Sequence, residues 1–525
     1  MYAGHIVELP VGTDGLTGSK NLGTIRPSHL LQATNVTYEQ GTIQKEPGAT
    51  AYNGTAITGS PSIIGGWDWW PTNGVQRMVV MGSDGKLYKD DGAGTFGTTL
   101  KSGLTVTNVA PVFVEGGKEA AAGNRKLFTF TGVNAVQVLS ADGATTTDLA
   151  TPPADWSGTN QPVAGLIHEY RLMGFGNLND PHRLYWSTPT NHEDFTGTDS
   201  GTLAIYPGEG ERLICGMSFK WGVVLWKYPK GIYIVDTSDP NIDNWRVFKI
   251  NDKIGMASPL AAGIVDDDIL FMDSTSNLQF ISAVQAYGDM ANRNLSAVSD
   301  IATLVRDSIN FGQLGNVRFV YYGAKREAHF AVAGTGSNAN NARLVVDFNR
   351  PDLPRFRWSD RDRPQSIWLR KDSNNVPRLV HGDDTGKVWL MDQSNRTKGG
   401  AYNGQFQTAH TDLGFLDPAL ATKRKMYDYL ELVVEPKGNW NVSADIVIDG
   451  DIKETVQFNM GQNGAGLGSF TLGTDALAGE AVLNKKKRIH GSGRRFSVIY
   501  RNNGDGEDFS IAKSLLHARV SDERL

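Results

Sequence analysis

The residues best equipped for chemistry in this chain are basic. Lys485, Lys486, Lys487 and Arg488, followed by His490, Arg494 and Arg495, form its one dense cationic patch. Such a patch binds phosphate, so double-stranded DNA is one partner it suits. The alternative is a hairpin tip, bracketed by Gly491 and Gly493, that meets water or an acidic neighbour. No aromatic residues interleave these cations, as single-strand binding would prefer. A second set, Arg355, Arg357, Arg361, Arg363 and Arg370, is mixed with Asp352, Asp360, Asp362 and Asp372. An arginine trio for a sugar carboxylate is one reading of it; solvated ion pairs at a surface are the expectation.

Oxygen-rich loops come next. Asp236, Asp239, Asn241 and Asp243, the run Asp266-Asp267-Asp268, and residues 502–508 (NNGDGED) offer ligands of the kind calcium takes. None follows the EF-hand order, and solvated turns are the expectation. Gly461–Gly468 (GQNGAGLG) has the look of a nucleotide loop but lacks the following helix that such a loop needs. There is no HExxH, no GxxxxGK[ST] and no GxSxG. The single cysteine, Cys215, lies in the apolar run Leu213–Met217 and reads as a buried, inert thiol. No catalytic residue, metal or cofactor is expected, and the chain reads as a non-enzyme.

The bulk properties agree with that picture. A formal net charge of -5 lacks the excess of a dedicated nucleic-acid binder, though it fits a surface that DNA passes without sticking. No signal peptide and no membrane span is read, which places synthesis in a cytoplasm. Sixty glycines signal many turns.

Those turns punctuate an all-β chain. Asp84-Gly85-Lys86-Leu87-Tyr88, Lys230-Gly231-Ile232-Tyr233, Ser276–Phe280 and Asp384-Thr385-Gly386-Lys387-Val388-Trp389 each follow an apolar strand and lead into one carrying an aromatic. Strand, tight turn and aromatic strand repeat as the inner hairpin of a propeller blade. The spacing predicts an irregular β-propeller over 55–395 with about seven blades, in regions 60–100, 108–150, 163–206, 212–250, 258–285, 315–350 and 364–393. The Asp384 turn looks like part of an Asp-box, a structural turn of sialidase-like propellers, with Gly382 at its usual Ser/Thr position. Trp67, Trp69, Trp70, Trp186, Trp226, Trp245, Trp358, Trp368 and Trp389 recur through the blades. Core packing is the favoured reading for them, saccharide stacking the alternative.

Residues 290–309 break the pattern. Leu295, Val298, Ile301, Ala302, Val305 and Ile309 share one face at helical spacing, which predicts an inserted amphipathic helix capped by Asn294 or Ser296. It would pack on the propeller rim or contact another subunit. Residues 396–404 read as a linker. Beyond it, 405–525 reads as a separate β-sandwich-like domain, with period-two alternation over Asn441–Ile448 and a turn at Asp449-Gly450.

The lead-in, residues 1–54, reads as a helical turn over Ser28–Ala33 opened by Pro27, then a hairpin of Val36–Tyr38 and Thr42–Gln44 around Gly41. Its Arg26-Pro27, Asn35-Val36, Gly41 and Lys45-Glu46-Pro47-Gly48 resemble the start of β-propeller nozzle, hub and stabilization proteins of short-tailed phages. That pattern has Arg where this chain has Glu46. Further along, Ile254-Gly255, Ser258-Pro259, Asp266–Leu270, Leu278–Ile281 and Leu295-Ser296 follow the family's order. The resemblance implies a virion tail protein, assembled in the host cytoplasm into a ring of six copies. It would sit below the portal and adaptor with needle or fibre proteins as neighbours, retaining and then releasing DNA without sequence specificity. It also implies that Arg26, Pro27, Asn35, Val36 and Gly41 form an assembly hairpin. A glycan-binding or glycan-cleaving propeller is the alternative.

Overall fold

The computed structural model describes residues 5–12, 14–19, 25–39, 41–72, 74–116, 125–284, 289–298, 300–350, 353–461 and 482–520. Short β-branched and aromatic runs pair with their neighbours through Gly, Asp and Asn turns. This gives antiparallel four-stranded meanders over 63–101, 112–148, 164–204, 212–251 and 262–294, each a separate sheet. A sixth separate sheet joins strands 366–371, 377–382 and 388–393 to a strand from the lead-in. One further meander of the same form, 318–359, is continuous with the sandwich. The first strands of successive meanders lie side by side, 63–69 against 366–371 and 164–168 against 212–219, as around a propeller axis. Fully buried side chains such as Val80, Leu172, Val224, Leu270, Phe330 and Val380 fill the space between blades.

One turn repeats with its chemistry intact. Asp273 Oδ1 accepts the amides of Thr275 and Asn277 at 2.8 and 2.9 Å, and its Oδ2 accepts the Gln279 amide at 2.8 Å. Asp372 does the same for Asn374, Val376 and the Arg378 Nε. Asp383 does it for Thr385, Lys387 and the Trp389 indole. One carboxylate thus satisfies two turn amides and draws back the side chain six residues on. The predicted Asp-box turn is therefore organised by Asp383; Asp384 instead pairs with Arg363.

The lead-in corrects several expectations. Its strands are β1 (His5–Leu9), β2 (Gly15–Leu16), β3 (His29–Thr34), β4 (Val36–Glu39), β5 (Thr42–Lys45) and β6 (Gly48–Ala51). The helical turn predicted over Ser28–Ala33 is strand β3, because 404–408 supplies an antiparallel partner from far along the chain. The β4–β5 hairpin stands as predicted, with Gly41 at φ +80°, where glycine is unstrained. β6 pairs with 388–393 and so supplies the last blade's outer strand.

Strands 404–408, 425–434, 441–448, 451–459, 483–488, 496–502 and 510–520 build the C-terminal sandwich. It is not separate from the lead-in. β4 and β5 extend the sheet of 425–434 and 510–520, with β1 also on 510–520, while β3 joins the sheet of 404–408 and 496–502. Tyr427 packs on Phe496 (centroids 4.8 Å apart) between the two sheets. Nor is 396–404 a free linker: Arg396 pairs with Asp508 at 2.8 Å, and Lys398 donates to the Asp362 carbonyl.

The inserted helix is shorter than predicted. Residues Asp289–Asn294 form the outer strand against Leu278–Val284. Helices α1 (Leu295–Val298) and α2 (Ala302–Ser308) follow, separated around Asp300 at φ +51°. Leu295, Ile301, Val305 and Ile309 are buried as the pattern required. Ser296 does not serve as the predicted cap, since its Oγ accepts the Leu278 amide, and Ile301, preceding α2, makes no side-chain cap. No described helix is long and apolar enough to cross a membrane.

Candidate functional site

Two places gather chemistry. The first is the junction where the lead-in crosses from sandwich to propeller. Pro47 and Gly48 turn the chain, which plants Glu46 beneath the blade strands 342–347 and 355–359. Glu46 Oε1 accepts from Arg343 Nη2 at 2.9 Å and Arg357 Nη1 at 3.0 Å, and its Oε2 lies 3.4 Å from Arg361 Nε. Arg343 also reaches Asp362 and His329, while Arg357 donates to Glu327 at 2.7 Å. Burial alone would raise the Glu46 carboxyl, but the charges of Arg343, Arg361 and Arg357 hold it well below the usual range. Asp362 is likewise held down at about 2, burial being overcome by Arg361 and Arg343.

This overturns the surface reading of the arginine cluster. Arg357 and Arg361 are buried and meet acids, one of which, Glu46, arrives from some 300 residues away. Arg355 pairs with Asp347 at 2.6 Å; Arg370 lies over the Tyr52 ring; Arg363 stays exposed. There is an arginine trio, but its carboxylate is the chain's own.

Lys45 completes the junction. Its ammonium donates to Asn502 Oδ1 at 3.0 Å and the Gly504 carbonyl at 2.8 Å. Loop 502–508, weighed as a cation loop, is thus filled by a lysine, and burial lowers that lysine to about 8. Tyr402 lies under both Lys45 and Arg361, and its hydroxyl donates to the Glu46 carbonyl. Asn35, at φ +53°, donates to Asp360 and to the Asn403 carbonyl, both at 2.7 Å. Asn35 and Val36 thus serve the intramolecular joint.

The second place is a cavity of about 410 Å³ among the innermost strands of the propeller. Trp67, Trp70, Phe113, Phe319 and Trp368 line it, with Arg318 among them. Glycines make the shape. A Cβ on Gly66 would stand 2.6 Å from the Trp368 ring, and one on Gly263 would stand 2.0 Å from Phe319, so both rings lie on bare backbone. Other tryptophans lie in the core: Trp69 and Trp226 are fully buried, and the buried Trp186 packs on the buried Trp245 at 5.0 Å. The cavity escaped sequence reasoning. Its available signal was a lone arginine opening the apolar run Arg318–Tyr322, beside a Gly-Gly-Trp strand.

The predicted basic patch divides. Lys485, Lys486, Lys487 and Arg488 lie on strand 483–488, at the edge of its sheet among the described residues. Lys486 sits over the Tyr429 ring and Lys485 donates to the Gly461 carbonyl. Arg494 and Arg495 line a separate surface hollow with His410 and Asp412, and Pro27 meets Arg495 in the hollow beside it. Arg26 is described but lines neither hollow. The GQNGAGLG segment beyond Gly461 lies outside the described residues. Asp239 and Asn241 accept the amides two residues on, and Asp266 pairs with Arg326. Cys215 is buried, which pushes its thiol up to about 12. Among the described residues no group of three or more His, Cys, Asp or Glu side chains is placed to hold a metal.

No family model matches the chain, and no curated protein matches it. Among solved structures it is similar to the computationally designed Ika8 protein, at 11% identity and TM-score 0.36, over 66% of this chain and 99% of that one. It is also similar to the N-terminal domain of Nup159, at 10% identity and TM-score 0.40, over 68% of this chain and 98% of that one.

Proposed function

We propose that this chain is a structural virion protein, a tail nozzle or hub subunit of a short-tailed phage. Copies would close into a ring, six by resemblance, below the portal and adaptor, enclosing the channel through which double-stranded DNA leaves. The role is mechanical: hold the packaged genome, transmit a trigger, open. The observation that carries this reading is the lead-in. It closes the last blade with β6, joins both sandwich sheets with β3, β4 and β5, and locks the joint with Glu46. A propeller and sandwich fused in this way behave as one stiff wedge, which is what a load-bearing ring subunit requires. Fold alone does not define function, so the test is assembly. Native mass measurement and electron microscopy of the purified protein, alone and with its adaptor, should show rings. A strict monomer in both conditions refutes the proposal.

A second reading, a glycan-binding tail component, draws on Trp67, Trp70 and Trp368 around one cavity. Adhesion to host cells that is lost in Trp70→Ala would support it over the ring; unchanged adhesion removes it.

A further inference from the structure

Arg318 opens the innermost strand of its meander, and its neighbour Phe319 donates its backbone N–H to the Leu260 carbonyl at 2.7 Å. Arg318 is buried, with a relative exposure of 5%. Its Nη1 donates to the carbonyls of Asn316 and Val317 at 2.6 and 3.3 Å. Its Nε has no acceptor, and none is found for Nη2 among the described residues. Every other fully buried guanidinium, those of Arg343, Arg357 and Arg361, meets a carboxylate. Among the described residues no carboxylate pairs with Arg318, and burial lowers its guanidinium to about 9. Two acids share the cavity wall, Asp68 and Glu115; Asp68 accepts the Lys371 amide and the Gln76 side chain, and the shift of Arg318 comes from burial with neither acid opposing it.

A buried cation without a counter-charge is costly unless something supplies one. Here the cation borders a cavity of about 410 Å³, within the range of small-molecule sites. The remaining wall is largely apolar and carries five aromatic rings, with Asp68, Glu115 and Lys371 also on it. We infer that the cavity is a binding site for a small organic carboxylate, its anionic head on Arg318 and its apolar body between Trp70, Phe319 and Trp368. One unpartnered guanidinium balances one charge, whereas a phosphate monoester carries up to about two at neutral pH. A carboxylate on an aromatic or branched aliphatic body therefore fits better. This site is independent of the ring reading, since it is complete within one chain.

The test uses the full-length protein and 4-phenylbutyrate as probe, with 4-phenylbutanamide as its neutral isostere. Binding is read by titration calorimetry and by tryptophan fluorescence, since three lining residues are tryptophans. The acid should bind saturably and at least tenfold more tightly than the amide. Arg318→Gln should bring that ratio to about one, and Arg318→Lys should keep part of it. Trp70→Ala, a half-buried position, should weaken acid and amide alike and leave their ratio intact; this arm reports on the cavity even if Arg318→Gln fails to fold. No saturable binding of the acid, equal binding of acid and amide by the unaltered protein, or an unchanged ratio in folded Arg318→Gln each overturns the inference.

Discussion

The Glu46 carboxylate lies 2.9 Å from the Arg343 guanidinium, across 297 residues of sequence. With Arg357 and Arg361 on the same carboxylate, it is the electrostatic centre of the joint between lead-in, propeller and sandwich. Glu46→Gln keeps the shape but leaves three buried guanidinium groups with less counter-charge. Breaking a buried pair from one side costs about 3–5 kcal/mol. The variant should therefore lose about that much stability in urea unfolding, and Glu46→Arg should fail to fold. A Glu46→Gln midpoint within experimental error of the parent would refute this account of the joint.

The joint also shows what sequence could and could not disclose. Turns such as Asp383–Trp389 and the hairpin around Gly41 are local, so their residue types announce them. The blade limits follow from those turns. β3 was hidden because its antiparallel partner, 404–408, lies hundreds of residues away, while the Pro27 helix-start signal is adjacent. The arginine cluster was legible as charge but not as a buried site, because Glu46 comes from the other end of the propeller. Arg318 was harder still. A single arginine at a strand start looks like any other until the fold buries it beside an aromatic-lined cavity.

Acid should destabilise the protein in two stages. Burial lowers His29, His168, His182, His192, His329, His381 and His410 below their ordinary value of 6.5. The unfolded chain then binds more protons than the folded one below that pH. The stability contributed by neutral histidine is full above pH 6.5 and is lost as pH falls. Glu46 and Asp362, held low by arginines, contribute stability above about pH 4 that is lost toward pH 2. Thermal unfolding should give a melting temperature that is flat from pH 7 to 8, declines from 6.5 to 5 and drops steeply below 4. His381→Leu, which removes two unpartnered ring nitrogens, should flatten the middle stage. A melting temperature rising between pH 6.5 and 5 contradicts the argument.

Adjacent aspartates should differ sharply. Asp383→Ala strips acceptors from the Thr385 and Lys387 amides and the Trp389 indole, at 2.8, 3.0 and 2.8 Å. Losing such a set should cost roughly 2–3 kcal/mol. Asp384→Ala loses only a pair with Arg363, whose side chain is 64% exposed, so its cost should stay below about 1 kcal/mol. Equal unfolding midpoints for the two variants would count against the turn assignment.

The basic strand 483–488 is open to two functional tests in one experiment. Lys487 and Arg488 are exposed on a strand at the edge of its sheet among the described residues, where charge keeps strands of other molecules from pairing. Replacing both with threonine should therefore promote self-association, seen as a concentration-dependent shift in light scattering, with the melting temperature held within a few degrees. If the strand instead faces the DNA channel, the same variant should lower retention of a double-stranded fragment in a low-salt mobility assay. The parent's retention should then fall with salt in proportion to the phosphate contacts it makes. Association without any change in retention assigns the lysines to edge protection; lost retention without association assigns them to DNA.

Removing residues 1–54 tests the lead-in as a whole. The deletion takes β6 from the last blade and exposes the ladder of 388–393, whose Leu390 and Trp389 pair with Thr50 and Ala51. It also withdraws β3 from 404–408 and β5 from Ser510 and Ile511, and leaves Arg343, Arg357 and Arg361 without Glu46. Each loss uncovers backbone donors and acceptors that the lead-in strands satisfy. The truncated protein should be insoluble, or unfold in early, separate propeller and sandwich transitions where the full chain unfolds in one. Supplying residues 25–54 as a separate peptide should restore part of the lost stability, since the docking surfaces remain. A truncated protein that is soluble, melts with the parent and ignores the peptide would show that the lead-in is an accessory, and the stiff-wedge argument would fall with it.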